Sequence, residues 1–187
     1  MSSVCPRPWR SLLSIAVDVT TLAAIGGAGF LFLTSGRPDS TPAAGGAGIE
    51  TLVGSVMPSV SVRDSGHGRD TLFTAPGTNT LVLVFRTDCP VCGVQKPEWN
   101  ELARRASGVG WRTVALTPER ITSEVAAYFA LKTIETFQVS DPSRLGQLGV
   151  TGVPATIVVT AKGRIGFGRV GLLGPDGVDV VKAMFDE

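Results

Sequence analysis

Residues 81–85 read LVLVF, five apolar residues in a row, and the chain continues RTDCPVCGVQKPEWNELARRA. A continuous apolar run bounded by turn signals reads as a buried strand. Glu98, Trp99 and Leu102 then carry helical spacing. The chain is therefore predicted to leave a buried strand and enter a helix that starts near Cys89 and Cys92 and ends before Gly108. Pro97 falls inside that helix and is expected to kink it, because it removes one donor and crowds the preceding turn.

The surrounding pattern predicts an α/β fold. Residues 52–62 alternate enough for an edge strand, where Pro58 is tolerated. A turn-rich stretch with Asp64, Gly66, Gly68, Pro76, Gly77 and Asn79 follows. Downstream, a strand is expected over 111–116 and a helix over 121–131 with Val125, Tyr128 and Phe129 on one face. A short strand near 136–139, a short helix near 142–148, a strand over 156–160, a hairpin partner over 164–170 and a terminal helix over 178–185 complete the reading. That order gives a central mixed β-sheet with helices on both faces.

Cys89 follows the buried strand and opens the helix. A helix N-terminus offers unpaired N–H groups and a partial positive charge, and both favour the thiolate, which is the nucleophile in disulfide exchange. Cys92, three residues on, can attack a mixed disulfide and release the product. Pro90 suits the first turn, where a helix can spare a donor. Two other readings of a CxxC exist. Half a zinc site would need further ligands, and the only other soft candidates are Cys5 and the single histidine, His67, in a Ser-Gly-His-Gly loop. A permanently closed structural disulfide is the second. No metal is expected.

The segment FRTDCPVCGVQKPEWNEL resembles the active-site region of thioredoxin-like proteins, and TGVPATIVV resembles the loop that faces it. The lead-in VGSVMPSVSVRDSG is similar to that of the TlpA-like, ResA-like and peroxiredoxin-like branch, and the likeness covers roughly residues 52–185. It implies an attacking Cys89 and a resolving Cys92, cycling through a Cys89–Cys92 disulfide with no other cofactor. Pro97 matches the proline that kinks the active-site helix. Val153–Pro154 matches the family's cis-proline, which packs against the cysteines and leaves the Val153 backbone free to pair with a substrate. Two positions depart. Thioredoxin has tryptophan just before its first cysteine and a buried acid six residues before it; here they are Asp88 and Leu83. The proton relay for Cys92 must then come from elsewhere or from water, with Glu98 and Glu101 as candidates. Arg86 and Lys96 are the cations that could favour a thiolate, while Asp88 opposes it.

Ahead of the domain, residues 12–33 read LLSIAVDVTTLAAIGGAGFLFL, about the 20 residues a helix needs to span a bilayer core. Arg7 and Arg10 precede it and Arg37 follows, which favours a cytoplasmic N-terminus. The organisation expected is a cytoplasmic tail (1–11), a transmembrane anchor (12–33), a flexible Gly/Pro/Ala/Ser-rich linker (34–50) and a thioredoxin-like domain (51–187) on the extracytoplasmic, periplasmic side. A signal peptide cleaved near Ala43 or Ala47 is the rival. Asp18 is expected near the headgroups, and Cys5 as an incidental thiol across the membrane from the CxxC. Formal net charge is +1, which leaves no electrostatic footprint for nucleic acid.

The resemblance implies an extracytoplasmic protein disulfide oxidoreductase that acts on client protein thiols or disulfides and is recharged by a membrane redox partner. The leading expectation is a reductase of the type used in cytochrome c maturation. A MauD-like factor, which forms disulfides in its client, shares the anchor and the CPVC motif. A peroxidase of the peroxiredoxin type would carry PxxxTxxC, but Val82 and Arg86 hold those positions. A non-catalytic tethered binding module is the remaining alternative.

Overall fold

The structure, a computed structural model, describes residues 48–64, 70–73 and 77–186. The described strands are β1 (Val60–Asp64), β2 (Asp70–Phe73), β3 (Thr80–Val84), β4 (Arg112–Thr117), β5 (Ile134–Val139), β6 (Ala155–Val159) and β7 (Ile165–Val170). The helices are α1 (Pro90–Gly108), α2 (Ser123–Ala126), α3 (Arg144–Gln147) and α4 (Gly174–Met184), with a 3₁₀ turn at Ile49–Leu52. The strands form one sheet in the order β2-β1-β5-β4-β3-β6-β7. β3, β4 and β5 run parallel, and β2, β1, β6 and β7 join antiparallel to their neighbours. The expected mixed sheet flanked by helices is what forms.

The run LVLVF explains the two-sided core. Successive strand side chains alternate between faces. Leu81, Leu83 and Phe85 pack on one face with Trp99, Leu102, Ala103 and Ala106 of α1 and Val181 of α4. Val82 and Val84 pack on the other with Ile49, Leu145, Leu148 and Val150. All five residues of the run are fully buried.

Several boundaries move. The strand expected over 52–62 begins at Val60 and is not an edge: it lies between β2 and β5. Strand β2 supplies the edge and falls in the stretch read as turns, because four residues rich in polar groups give too short a period to detect. The helix expected over 121–131 closes after one turn, Ser123–Ala126, capped by the Thr122 hydroxyl, which accepts the Val125 N–H at 3.2 Å. Beyond it, Tyr128 and Phe129 are held by aromatic packing rather than by helix bonds. The terminal helix starts earlier, at Gly174. Residues 1–47 lie outside the described residues, and with them the anchor, Asp18, Cys5 and most of the linker; so does His67. Among the described residues no helix is long and apolar enough to cross a membrane.

Gly149 pins the 3₁₀ turn to the sheet. Its φ is +68°, its carbonyl accepts the Ile49 N–H at 3.0 Å, and a Cβ there would lie 2.5 Å from the Ile49 nitrogen. Gly149→Ala is expected to cost about 2 kcal/mol or more, from a left-handed alanine plus displacement of fully buried Ile49. A denaturant melt showing an unchanged midpoint would refute this.

Candidate active site

β3 and β6 are antiparallel neighbours in which Val84 pairs with Ala155. The end of β3, which leads to the cysteines, therefore meets the start of β6, which carries Val153 and Pro154. Residues 64 positions apart in sequence become partners: the Cys89 thiol donates to the Val153 carbonyl at 3.7 Å. The Val153–Pro154 peptide is cis. Pro154 is buried and Val153 half-buried.

Cys89 is the N-cap of the 19-residue helix α1, and Pro90 occupies its first position. The Cys89 Sγ accepts the Cys92 N–H at 3.2 Å. This satisfies one of the orphan N–H groups of the first turn and sets the sulfur at the positive end of the helix. Pro97 lies within α1, which continues past it to Gly108. Both cysteines are free thiols, Cys89 half-exposed and Cys92 fully buried. Burial pushes the Cys92 thiol up to about 12, with the hydrogen bond to Cys89 adding to it and a backbone bond from Arg86 pulling the other way. One sulfur is thus presented to solvent and the other is withheld as a thiol.

This geometry can be set beside known proteins. No protein-family model matches the sequence, and no curated protein is similar to it. Solved structures do match. A thiol:disulfide interchange protein from Bacteroides sp. is 19% identical, over 72% of this chain and 91% of that one, with a TM-score of 0.56. A putative thioredoxin from Neisseria meningitidis is 20% identical, over 69% and 88%, at 0.55. A peroxiredoxin-like protein from Aquifex aeolicus is 15% identical, over 71% and 86%, also at 0.55. The fold is thioredoxin-like.

Within this thioredoxin-like frame, the polar residues around the cysteines sort themselves. Leu83 is fully buried where thioredoxin keeps its acid. Glu98 and Glu101 do not replace it: both are exposed, Glu98 accepting from Gln95 Nε2 at 2.6 Å and Glu101 pairing with Arg104 at 2.7 Å. Arg86 forms a two-bond ion pair with Asp88, at 2.9 and 2.6 Å, so the acid beside Cys89 carries its own counter-charge. Lys96 lies over the Tyr128 ring, 4.5 Å from its centroid.

Three residues that shape the surroundings of the cysteines escape a reading of the sequence. Glu119 accepts both the N–H and the hydroxyl of Thr87, at 2.7 and 2.9 Å, and so holds the turn two residues before Cys89. Gln95, fully buried in α1, accepts the Leu173 N–H at 2.7 Å and ties α1 to the start of α4. Tyr128 stacks on Phe85, with ring centroids 4.6 Å apart. Only Glu119 left a signal: it follows strand β4, whose parallel register with β3 brings its C-terminal end to the same edge, where sites of open α/β sheets collect. A groove of about 320 Å³ adjoins the loop, lined by Arg86, Pro118, Pro142, Leu145, Val150 and Val153. Val91 and Val94 expose 43% and 67% of their surface beside the cysteines on α1, an apolar rim around Cys89.

Proposed function

We propose that this chain is a thiol–disulfide oxidoreductase that works on client proteins through Cys89 and Cys92, with a reductase role outside the cytoplasm. The observation that carries the reading is the pairing of a half-exposed Cys89 at the N-cap of α1, set against the Val153 carbonyl ahead of Pro154, with a buried Cys92 one turn on whose N–H is bound to the Cys89 sulfur. The solved structures it resembles include a thiol:disulfide interchange protein and a putative thioredoxin, which support the same chemistry.

The steps balance as follows. The Cys89 thiolate attacks one sulfur of a client disulfide, forming a mixed disulfide and releasing the other client sulfur as a thiolate. That thiolate takes up a proton, directly or through water, equal to the one Cys92 gives up. The Cys92 thiolate attacks Cys89 Sγ, forming the Cys89–Cys92 disulfide and releasing the second client sulfur, which is protonated from solvent. The client gains two electrons and the protein loses two, to be restored by a membrane redox partner. An extended client segment would lie along the Val153 backbone and the adjoining groove. The anchor (12–33), the tether (34–50) and the arginines that flank the apolar run support placing this domain on the periplasmic side. Insulin disulfide reduction tests the chemistry, and protease accessibility of the domain in intact spheroplasts tests its placement. No reduction, together with no captured client, overturns the reading.

The resolving step should depend steeply on pH. With the Cys92 thiol held at about 12, its thiolate fraction is small at neutral pH and rises about tenfold per pH unit. Resolution of the mixed disulfide is expected to follow that slope between about pH 6 and 9. A stopped-flow profile that levels off near pH 7 would show the thiol to be far more acidic than its burial implies.

A further inference from the structure

Leu83 leaves no acid beneath Cys92, and Glu98 and Glu101 are engaged elsewhere. One buried polar atom packed against the Cys92 cluster remains without an assignment. The Tyr128 hydroxyl is buried and has no hydrogen-bond partner. An unpaired buried hydroxyl is costly to keep, and such a group calls for a reason.

Its surroundings supply one. Tyr128 packs against the cluster that contains Cys92, Phe85 and Phe129. Its ring is clamped by Phe85 on one side and Phe129 at the edge, with centroids at 4.6 and 5.0 Å. Lys96 Nζ sits 4.5 Å from the ring centroid. Lys96 follows Cys92 by four residues on α1, so the two share a helix face and the phenol lies against the face that carries the resolving sulfur. The charged and titratable groups around it are Lys96 and Cys92 from α1, Cys89 at its cap and Glu119 after β4. Burial, then the proximity of Cys92, Cys89 and Glu119, pushes the phenol up to about 12, so it keeps its proton wherever the exchange reaction runs.

We propose that Tyr128 is the donor held for the Cys92 sulfur as that sulfur takes on negative charge, so that the phenol promotes resolution of the mixed disulfide. This rests on the reading of Cys89 and Cys92 as an exchange pair. Catalytic hydrogen bonds are often long before the charge develops and tighten afterwards. A donor already held in place by ring packing needs no reorganisation when that happens. Tyr128 gives up no proton in the step: the Cys92 proton leaves to the released client thiolate or water, and the phenol only stabilises what remains.

The test is the reaction of the reduced protein with 5,5′-dithiobis(2-nitrobenzoate), followed by stopped flow. Cys89 attacks first and releases one thionitrobenzoate; Cys92 then displaces the second and closes the disulfide. Tyr128→Phe keeps the ring and its stacking and removes only the hydroxyl. The first release is expected to be unchanged. The second is expected to slow about three- to tenfold at neutral pH, because a lost bond to a charged sulfur lowers the thiolate fraction while the more basic thiolate regains part of the rate. Over the range in which the rate climbs with pH the slope should stay the same and the line lie lower, and the unchanged first release separates this from a general structural loss. A second release within twofold of the parent at every pH overturns the inference. No first release from the parent protein overturns the exchange reading, and this inference with it. Should Tyr128→Phe fail to fold, a second measurement decides. The chain has one tyrosine, so growth on 3,5-difluorotyrosine alters residue 128 alone. A stronger phenol donor is expected to speed the second release, and no change or a slower one overturns the proposal.

Discussion

Cys92→Ser protein, offered a client disulfide, is expected to stop at a mixed disulfide through Cys89, and Cys89→Ser protein to form none. The asymmetry comes from the site. Cys89 is half-exposed at the helix cap, whereas Cys92 has no accessible surface. Of the two described cysteines, Cys89 is the one that can meet a client sulfur, and Cys92 lies close behind it, its N–H already bound to Cys89 Sγ at 3.2 Å. Serine at 92 fills nearly the same volume but is a far poorer nucleophile at neutral pH, so the intermediate persists. Serine at 89 is expected to lower exchange by about a thousandfold or more, since the attacking group itself is gone. Non-reducing gels with mass spectrometry of the trapped band measure the first outcome, and insulin reduction the second. A Cys92→Ser protein that captures nothing, or a Cys89→Ser protein that retains turnover, contradicts the assignment. Direction is then read from the equilibrium with glutathione. A potential near about −270 mV fits a reductant and one near about −120 mV an oxidant of the disulfide-forming kind.

Trp99→Ala is expected to be the most damaging change away from the cysteines. Trp99 is fully buried in α1, packs in the cluster that contains Cys92 and Phe129, and donates its indole N–H to the Thr156 hydroxyl at 2.8 Å. Thr156 pairs with Leu83 in the β3–β6 ladder, so this bond fastens α1 to the strand that follows the Val153–Pro154 loop. Removing the indole leaves a cavity and an unpaired buried hydroxyl, with an expected cost of about 3–5 kcal/mol. For a domain of this size that lowers the melting temperature by roughly 10–20 °C. Trp99→Phe should cost less, because it keeps much of the volume and loses mainly the hydrogen bond. Thermal melts of the two variants check both the size and the order of the effects. Equal losses would mean that the bond, not the volume, is what matters.

Much of the domain could be read from local pattern. LVLVF marks the central strand because only a strand covered on both faces tolerates five apolar residues in succession. CPVC marks the helix start because a capping sulfur and a proline at the first helical position each suit that place. TGVPATIVV marks the facing loop by resemblance. The misreadings share a cause. Tyr128 and Phe129 continue the apolar spacing of a helix over 121–131, but aromatic contacts with Phe85 hold them in its place once the chain leaves its single turn. Strand β2 is too short and polar to show a period, yet β1 pairs with it over four residues.

By itself the sequence determined the order of strand, cysteine cap and helix, the three-residue step that sets one sulfur behind the other, and the loss of an acid at Leu83. These are local facts, settled within a turn or two of backbone. Tertiary structure alone decided what surrounds the sulfurs. Val153 meets Cys89 because β6 lies antiparallel beside β3. Glu119 reaches Thr87 because β4 runs parallel to β3 and ends at the same edge. Tyr128 comes to the Cys92 face of α1 through ring packing. Each depends on the sheet order and on contacts between residues at least thirty positions apart, which no periodicity along the chain encodes. So the Cys89–Cys92 pair can be picked out from one segment, while the groups that surround it are assembled only when the sheet forms.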